Sequence, residues 1–174
     1  MLRKRRKNRR LFRSRDLVSS SKNIMSEKLE SALVGVAGEY FVAGELSRRG
    51  YIASITLRNS KGIDIIASNP DGTRSISIQV KTNSSGEKSW ILNKKSEEYF
   101  SENHYYIFVA LGELNQRPVY HIVPSKDVAD YITSDHSNWL KLNKRDGTQR
   151  KDTPMRKFND IENQYHEAWY LINL

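Results

Sequence analysis

The dipeptide Asp71-Gly72, set between two runs of apolar and β-branched residues, constrains this chain more than any other feature. Asp-Gly in that setting is a strong hairpin signal, because the turn needs residues that tolerate left-handed backbone. The run Gly62-Ile63-Asp64-Ile65-Ile66-Ala67 precedes Asn69-Pro70-Asp71-Gly72-Thr73, and Ile76-Ser77-Ile78-Gln79-Val80-Lys81 follows it. A hairpin centred between Asp71 and Gly72 pairs residues whose numbers sum to 143, so Asp64 faces Gln79 and Gly62 faces Lys81. Such partners hold their Cβ atoms about 5 Å apart. Strand side chains alternate, which puts Ser77, Gln79 and Lys81 on the Asp64 side and Ile76, Ile78 and Val80 on the other. The missing side chain of Gly62 leaves Lys81 room to lie over the neighbouring strand. A carboxylate, a carboxamide and an ammonium thereby converge on one patch of sheet. An ordinary solvated sheet face, with Lys81 in a cross-strand ion pair, is the other reading of the same residues.

Residues Lys28 to Arg49 read as a helix, with Leu29, Leu33, Val36, Ala37, Tyr40, Phe41 and Leu46 at three- and four-residue spacings. Glu39 falls within that stripe, three residues after Val36. A carboxylate turned toward a core is costly unless it is paired or ligates a cation. Glu45 differs, since Arg48 and Arg49 lie three and four residues later and can hold it on a solvated face. Glu39 is therefore the helix acid expected to join Asp64, Gln79 and Lys81.

A helix glutamate, Gly-x-Asp at one strand and Gln-x-Lys in the next resembles the PD-(D/E)xK nuclease superfamily. Within it the spacing is most similar to archaeal-type Holliday junction resolvases and Mrr-like restriction nucleases. The resemblance spans roughly Gly35 to Thr82 and implies an α/β fold, a restriction-endonuclease-like mixed sheet in the order αβββαβ flanked by helices. It implies hydrolysis of DNA phosphodiester bonds with Mg²⁺ or Mn²⁺. Asp64 would ligate the ion directly, Gln79 and the Val80 carbonyl would fill its shell, and Glu39 would act directly or through water. Lys81 would orient the attacking water or stabilise developing charge. Gln79 departs from the usual acid: its amide oxygen can ligate a hard cation but brings no charge, which shifts the burden to Asp64 and Glu39.

Charge is distributed unevenly. Residues 1–16 hold nine Lys or Arg and one Asp, so this segment carries +8 of the net +9, and the pI near 9.7 is a property of the tail. Residues 1–24 are expected to form a disordered basic arm, and 25–174 the nuclease-like domain. Arg5, Arg6, Arg9 and Arg10 suit non-specific phosphate contacts through counterion release. The same run also fits a nuclear-localisation patch, or an upstream extension of a reading frame starting at Met25. DNA is the partner the resemblance implies, although RNA satisfies the charge equally, and a junction-resolving activity would require a symmetric homodimer. With no cysteine there are no disulfides, zinc–thiolate sites or cysteine nucleophiles. No apolar run reaches membrane-spanning length, and a cytoplasmic protein is expected.

Further elements read as strands Tyr51 to Leu57, Ile63 to Ser68, Ser75 to Thr82, Tyr105 to Leu111 and Val119 to Val123. Helices are expected over Lys94 to Ser101 and from Ser125, as cap, to about Thr133. Glu97 and Glu98 read as solvated charges, and His104 as a strand-end residue. Lys141 to Lys157 reads as a long structureless stretch whose Lys144, Arg145, Arg150 and Lys151 could form a phosphate-contacting flap. Ile161, Tyr165, Trp169 and Ile172 have helical spacing and suit core packing. Three functions stay open on the residues alone: a metal-dependent endonuclease, a non-catalytic nucleic-acid-binding module of the same fold, and a protein-interaction or regulatory domain.

Overall fold

Helix α1 (Ser31–Arg48) stops where Gly50 takes φ +88°, a conformation glycine adopts without steric cost. The amides of Arg49 and Tyr51 then close on the Leu46 carbonyl at 3.0 and 3.1 Å. The computed structural model describes residues 29–57 and 62–174, so the arm with Arg5, Arg6, Arg9 and Arg10 lies outside the described residues. The buried face of α1 is Val34, Gly38, Val42 and Leu46, spaced four apart. Leu29, Leu33, Tyr40 and Phe41, expected to face the core, are exposed. The expected stripe mixed two faces of the helix, and the glycines hid the inner one. Gly38 lies so close to Thr82 that a Cβ there would stand 1.9 Å from the Thr82 Oγ1.

Five strands form one mixed sheet in the order β1 (Ile52–Ile55), β2 (Ile65–Ser68), β3 (Ser75–Asn83), β5 (His104–Ala110) and β6 (Val119–Pro124). Only the β3–β5 pair is parallel. The β2–β3 register is Ile65↔Ile78, Ile66↔Ser77, Ala67↔Ile76 and Ser68↔Ser75, each pair summing to 143 as the Asp-Gly turn predicts. The connection is a six-residue loop, 69–74, rather than a two-residue turn. Gly72 N–H donates to the Asn69 carbonyl at 3.0 Å around Pro70, whose fixed φ suits that position, and Asn69 Oδ1 accepts from the Arg74 amide at 2.9 Å.

One face of the sheet presents Ile76, Ile78, Val80, Ile107 and Val109 to Val42 and Leu46 of α1 and to Trp169 and Ile172. The other presents Tyr106 and Phe108 to helix α2 (Ser125–Lys141), through Val128 and Ile132, and to a separate ribbon of β4 (Ser89–Asn93) and β7 (Met155–Asn159). Trp90, Leu92 and Phe158 are the ribbon's inward side chains, and Phe158 stacks on Phe108 at 4.4 Å. Thus the fold is an α/β mixed sheet flanked by helices.

Several expected elements take other forms. The helix expected over Lys94 to Ser101 is one 3₁₀ turn, Lys94–Glu97, capped by the Asn93 side chain accepting from Lys95 N–H at 3.1 Å. Helix α2 runs to Lys141, and Ser125 caps nothing: its hydroxyl donates to the Ser101 carbonyl and accepts from the Ser101 amide, both at 3.0 Å. The stretch 141–157 is ordered by an Asn143↔Gln149 bridge, with Asp146 accepting from Thr148 N–H, and ends in β7. The last segment is not helical. Its turns leave Ile161 exposed, and a 3₁₀ turn, Trp169–Leu171, buries Trp169. No helix among the described residues is long and apolar enough to cross a membrane.

Arg156 ties the ribbon to the 3₁₀ turn. It is 3 % exposed, pairs with Glu97 through Nε, reaches Asp152 at 3.4 Å and donates to the Thr153 carbonyl at 2.6 Å. Arg156→Met strands Glu97 without its partner, and unfolding in urea is expected to show a loss of roughly 3–5 kcal/mol. A loss under about 1 kcal/mol would mean the pair behaves as a solvated one.

Candidate functional site

Asp64 stands one residue before β2 and binds strands on both sides. Its N–H donates to the Ile78 carbonyl at 2.8 Å, and its carbonyl accepts from Thr56 N–H at 2.9 Å. Its Oδ2 accepts from Val80 N–H at 2.7 Å. The carboxylate therefore takes the place of the next ladder carbonyl, and the hairpin opens beyond it. A residue's N–H and C=O leave a strand on the same side, so the Val80 carbonyl also faces the opened edge. Burial pushes the Asp64 carboxyl above its ordinary value of 3.8, against the lowering pull of Val80 N–H and the Lys81 charge.

Gln79 and Lys81 project from β3 on the face away from α1, with Tyr106 beside Gln79 in the parallel register. They floor a cleft of about 590 Å³ whose opposite wall is Asn93, Lys95, Ser96 and Glu98 from the end of β4 and the 3₁₀ turn. Gly62 and Tyr99 complete it. The space over Gly62 belongs to Tyr99 and not to Lys81 as expected: a Cβ at Gly62 would stand 2.9 Å from the Tyr99 ring, and the residue has φ +69°. His104 begins β5, as its strand-end reading has it, with Nδ1 2.8 Å from Ser77 Oγ.

Glu39 is half-buried, next to the Gly38–Thr82 contact, on the helix that packs against the opposite sheet face from Gln79 and Lys81. It flanks the inward stripe instead of lying within it. Glu45, expected on a solvated face, is 8 % exposed and held by Arg48 at 2.7 Å, Arg117 at 3.2 Å and Arg49 at 3.6 Å. Its partners explain its burial without a metal. Among the described residues, no three His, Asp or Glu side chains gather closely enough to hold an ion. The donors at the opened hairpin are one carboxylate, one carboxamide and a backbone carbonyl, a set that suits a hard cation keeping much of its water.

In the 142–154 loop, Lys144, Arg145 and Lys151 are exposed, whereas the Arg150 guanidinium lies over Trp139, 4.6 Å from the ring centroid. The loop's far end is fastened to the cleft wall, since Lys94 pairs with Asp152 at 2.9 Å and its amide donates to the Pro154 carbonyl at 2.8 Å. Sequence reasoning missed Tyr106, Tyr99, Asn93 and Ser96. The one signal was a tyrosine within the apolar run Tyr105-Tyr106-Ile107-Phe108-Val109, where a buried hydroxyl needs a reason.

Asp64 ionises at a cost to the fold. Its raised pKa means this cost is absent below 3.8 and complete once pH exceeds the folded value. In metal-free buffer at pH 7, Asp64→Asn, which keeps an acceptor for Val80 N–H, is expected to melt above wild type by about 2–4 °C. The gap should close toward pH 3.5 or so; a lower melting temperature at pH 7 would refute the desolvation account. Gly62→Ala meets both the Tyr99 ring and an unfavourable φ, and chemical denaturation should register a loss of about 1–3 kcal/mol. A neutral result would show that Tyr99 moves aside freely.

No family model matches the chain, and no curated protein matches it. Among solved structures it is similar to the bacterial homing endonuclease I-Ssp6803I, at 15 % identity over 83 % of this chain and 91 % of that one, with a TM-score of 0.48. It is also similar to Hjc of Archaeoglobus fulgidus, a Holliday junction resolvase from an archaeal hyperthermophile. That match has 15 % identity over 72 % of this chain and 84 % of that one, with a TM-score of 0.41.

Proposed function

We propose that this chain is a divalent-metal-dependent endonuclease that hydrolyses DNA phosphodiester bonds. The observation carrying the reading is the Asp64 carboxylate, fixed by Val80 N–H at the mouth of an opened hairpin, with the Lys81 charge acting on it and Gln79 in the adjoining cleft. A structural aspartate would close the ladder; this one ends it and stands half-buried.

Oδ2 of Asp64 is engaged by Val80, which leaves Oδ1 as the anionic ligand. Gln79 Oε1 and the Val80 carbonyl would supply neutral oxygens, with Glu39 acting directly or through water. A Mg²⁺ or Mn²⁺ ion held there supplies Lewis acidity to a phosphoryl oxygen and acidifies a bound water. The Lys81 ammonium, on the Asp64 side of β3, offsets negative charge growing on the phosphorane or orients the water against it. Because Gln79 carries no charge, Asp64 and Lys81 form a nearly neutral pair beside the cleft, and a phosphate would approach without repulsion from a second acid.

Lys144, Arg145 and Lys151 would track a phosphate backbone, a role supported by the fastening of their loop to the cleft wall through Asp152 and Pro154. Arg5, Arg6, Arg9 and Arg10 would add sequence-independent attraction. Arg150 would contribute more by packing on Trp139 than by direct contact.

Plasmid and linear duplex DNA should be cut by wild type with Mg²⁺ or Mn²⁺ and spared when the metal is chelated. Asp64→Ala and Lys81→Ala are each expected to lose at least about a hundredfold in rate. Gln79→Glu should bind Mn²⁺ more tightly in calorimetry. Cutting that survives both alanine substitutions would sink the assignment.

A further inference from the structure

We propose that the cleft bounded by Tyr106, Tyr99, Asn93 and Ser96 is a pocket for a single unpaired nucleobase, so that the preferred substrate carries an unpaired nucleotide beside the scissile phosphate. This rests on the nuclease reading and specifies its substrate.

The cleft is larger than hydrolysis at Asp64 requires. Six waters around a cation would occupy about 180 Å³ at roughly 30 Å³ each, against a cleft volume of about 590 Å³. The remainder is of the size that takes a small organic ligand. It exists because the connection between the parallel strands β3 and β5 is a strand and one 3₁₀ turn, not a full helix. That turn ends at Glu98, and the sheet at Gln79 and Tyr106 stays open.

The floor carries a buried polar group. Tyr106 is 0 % exposed and lines the cleft, with its buried hydroxyl beside the Ser96 side chain of the opposite wall. A phenol hydroxyl both donates and accepts, so one side-chain neighbour leaves it capacity to meet a ligand edge. Burial pushes its pKa up, so it stays a neutral donor and acceptor, which suits a base edge better than a phosphate. Tyr99, half out of the surface, brings an aromatic ring to the same cleft, held edge-on to His104 at 4.9 Å. Asn93 uses Oδ1 to cap the 3₁₀ turn, which leaves its amide NH₂ as a donor on the wall. An aromatic ring plus mixed donors and acceptors in a concave site is how an extruded base is read. Lys81 and Lys95, on opposite walls, suit the phosphates on its two sides.

The test uses full-length Asp64→Asn protein, which binds without cutting, and two otherwise identical duplexes containing 2-aminopurine, one paired and one as a single-nucleotide bulge. The bulged duplex should bind about tenfold more tightly, with a change in 2-aminopurine emission absent from the paired one. Adding Tyr99→Ala should abolish the emission change. Adding Tyr106→Phe, which removes only the hydroxyl and keeps the ring, should reduce the preference severalfold. Equal affinity for both duplexes, or an emission change indifferent to both tyrosines, overturns the pocket. Cleavage of the same two duplexes by wild type separates the failures: cutting without preference defeats the pocket alone, and no cutting of either defeats the nuclease reading.

Discussion

The hydrogen bond from Val80 N–H to Asp64 Oδ2 is the interaction on which the site depends. A hairpin strand normally ends by surrendering its last amide to water. Here a side chain takes that amide, so β2 stops at Ile65 while β3 continues to Asn83 beside β5. The carboxylate is oriented by backbone it could not desert without leaving a half-buried amide unpaired. Thr56 seals the other side, donating its amide to the Asp64 carbonyl and its hydroxyl to that of Ile63. Three strands thus fix one acid, and the divergence of β2 from β3 makes room next to it.

The dimensions around that acid are set by two absent side chains. At Gly38 the helix comes so close to Thr82 that even a methyl group would collide, which holds α1 against the apolar sheet face. At Gly62 the missing Cβ admits the Tyr99 ring, which closes one end of the cleft. The far wall has no such direct hold on the sheet. It is carried by the β4–β7 ribbon through Trp90, whose indole donates to the Val109 carbonyl at 3.0 Å, and by Arg156, which anchors Glu97 between the cleft residues Ser96 and Glu98. An ion pair inside the second core therefore acts as a positioning device for a surface feature.

How much of this could be read from the chain depends on how local its cause is. The β2–β3 register was legible because Pro70, Asp71 and Gly72 centre the turn, and period-two alternation leaves one register that buries Ile76 and Ile78. The turn's own form was not, since Asn69 does work usually given to a backbone carbonyl. Strand β4 carries an alternating Trp90 and Leu92 that could have been recognised. In β7 the inward positions are Arg156 and Phe158, and a buried arginine disguises the alternation. The helix face was misread because Gly38 is core by virtue of having no side chain, while Leu33, Tyr40 and Phe41 are apolar yet outside. Glu45 was misread because its third arginine, Arg117, is 72 residues away in sequence and adjacent only in the fold.

The uncharged side chain of Gln79 suits the same energetics. Burial already works against ionisation of Asp64, and the Val80 amide and Lys81 only partly oppose it. A second carboxylate on the adjacent strand would add like-charge repulsion to that desolvation and raise both carboxyl pKa values further. With Gln79 the carboxylate–ammonium pair stays close to neutral, and Tyr106, buried beside Gln79 in the parallel register, meets no second charge there. On the proposed reading, some affinity for a cation is exchanged for a preformed cleft. On that reading, a divalent cation and a phosphate would together complete the charge balance beside Asp64 and Lys81.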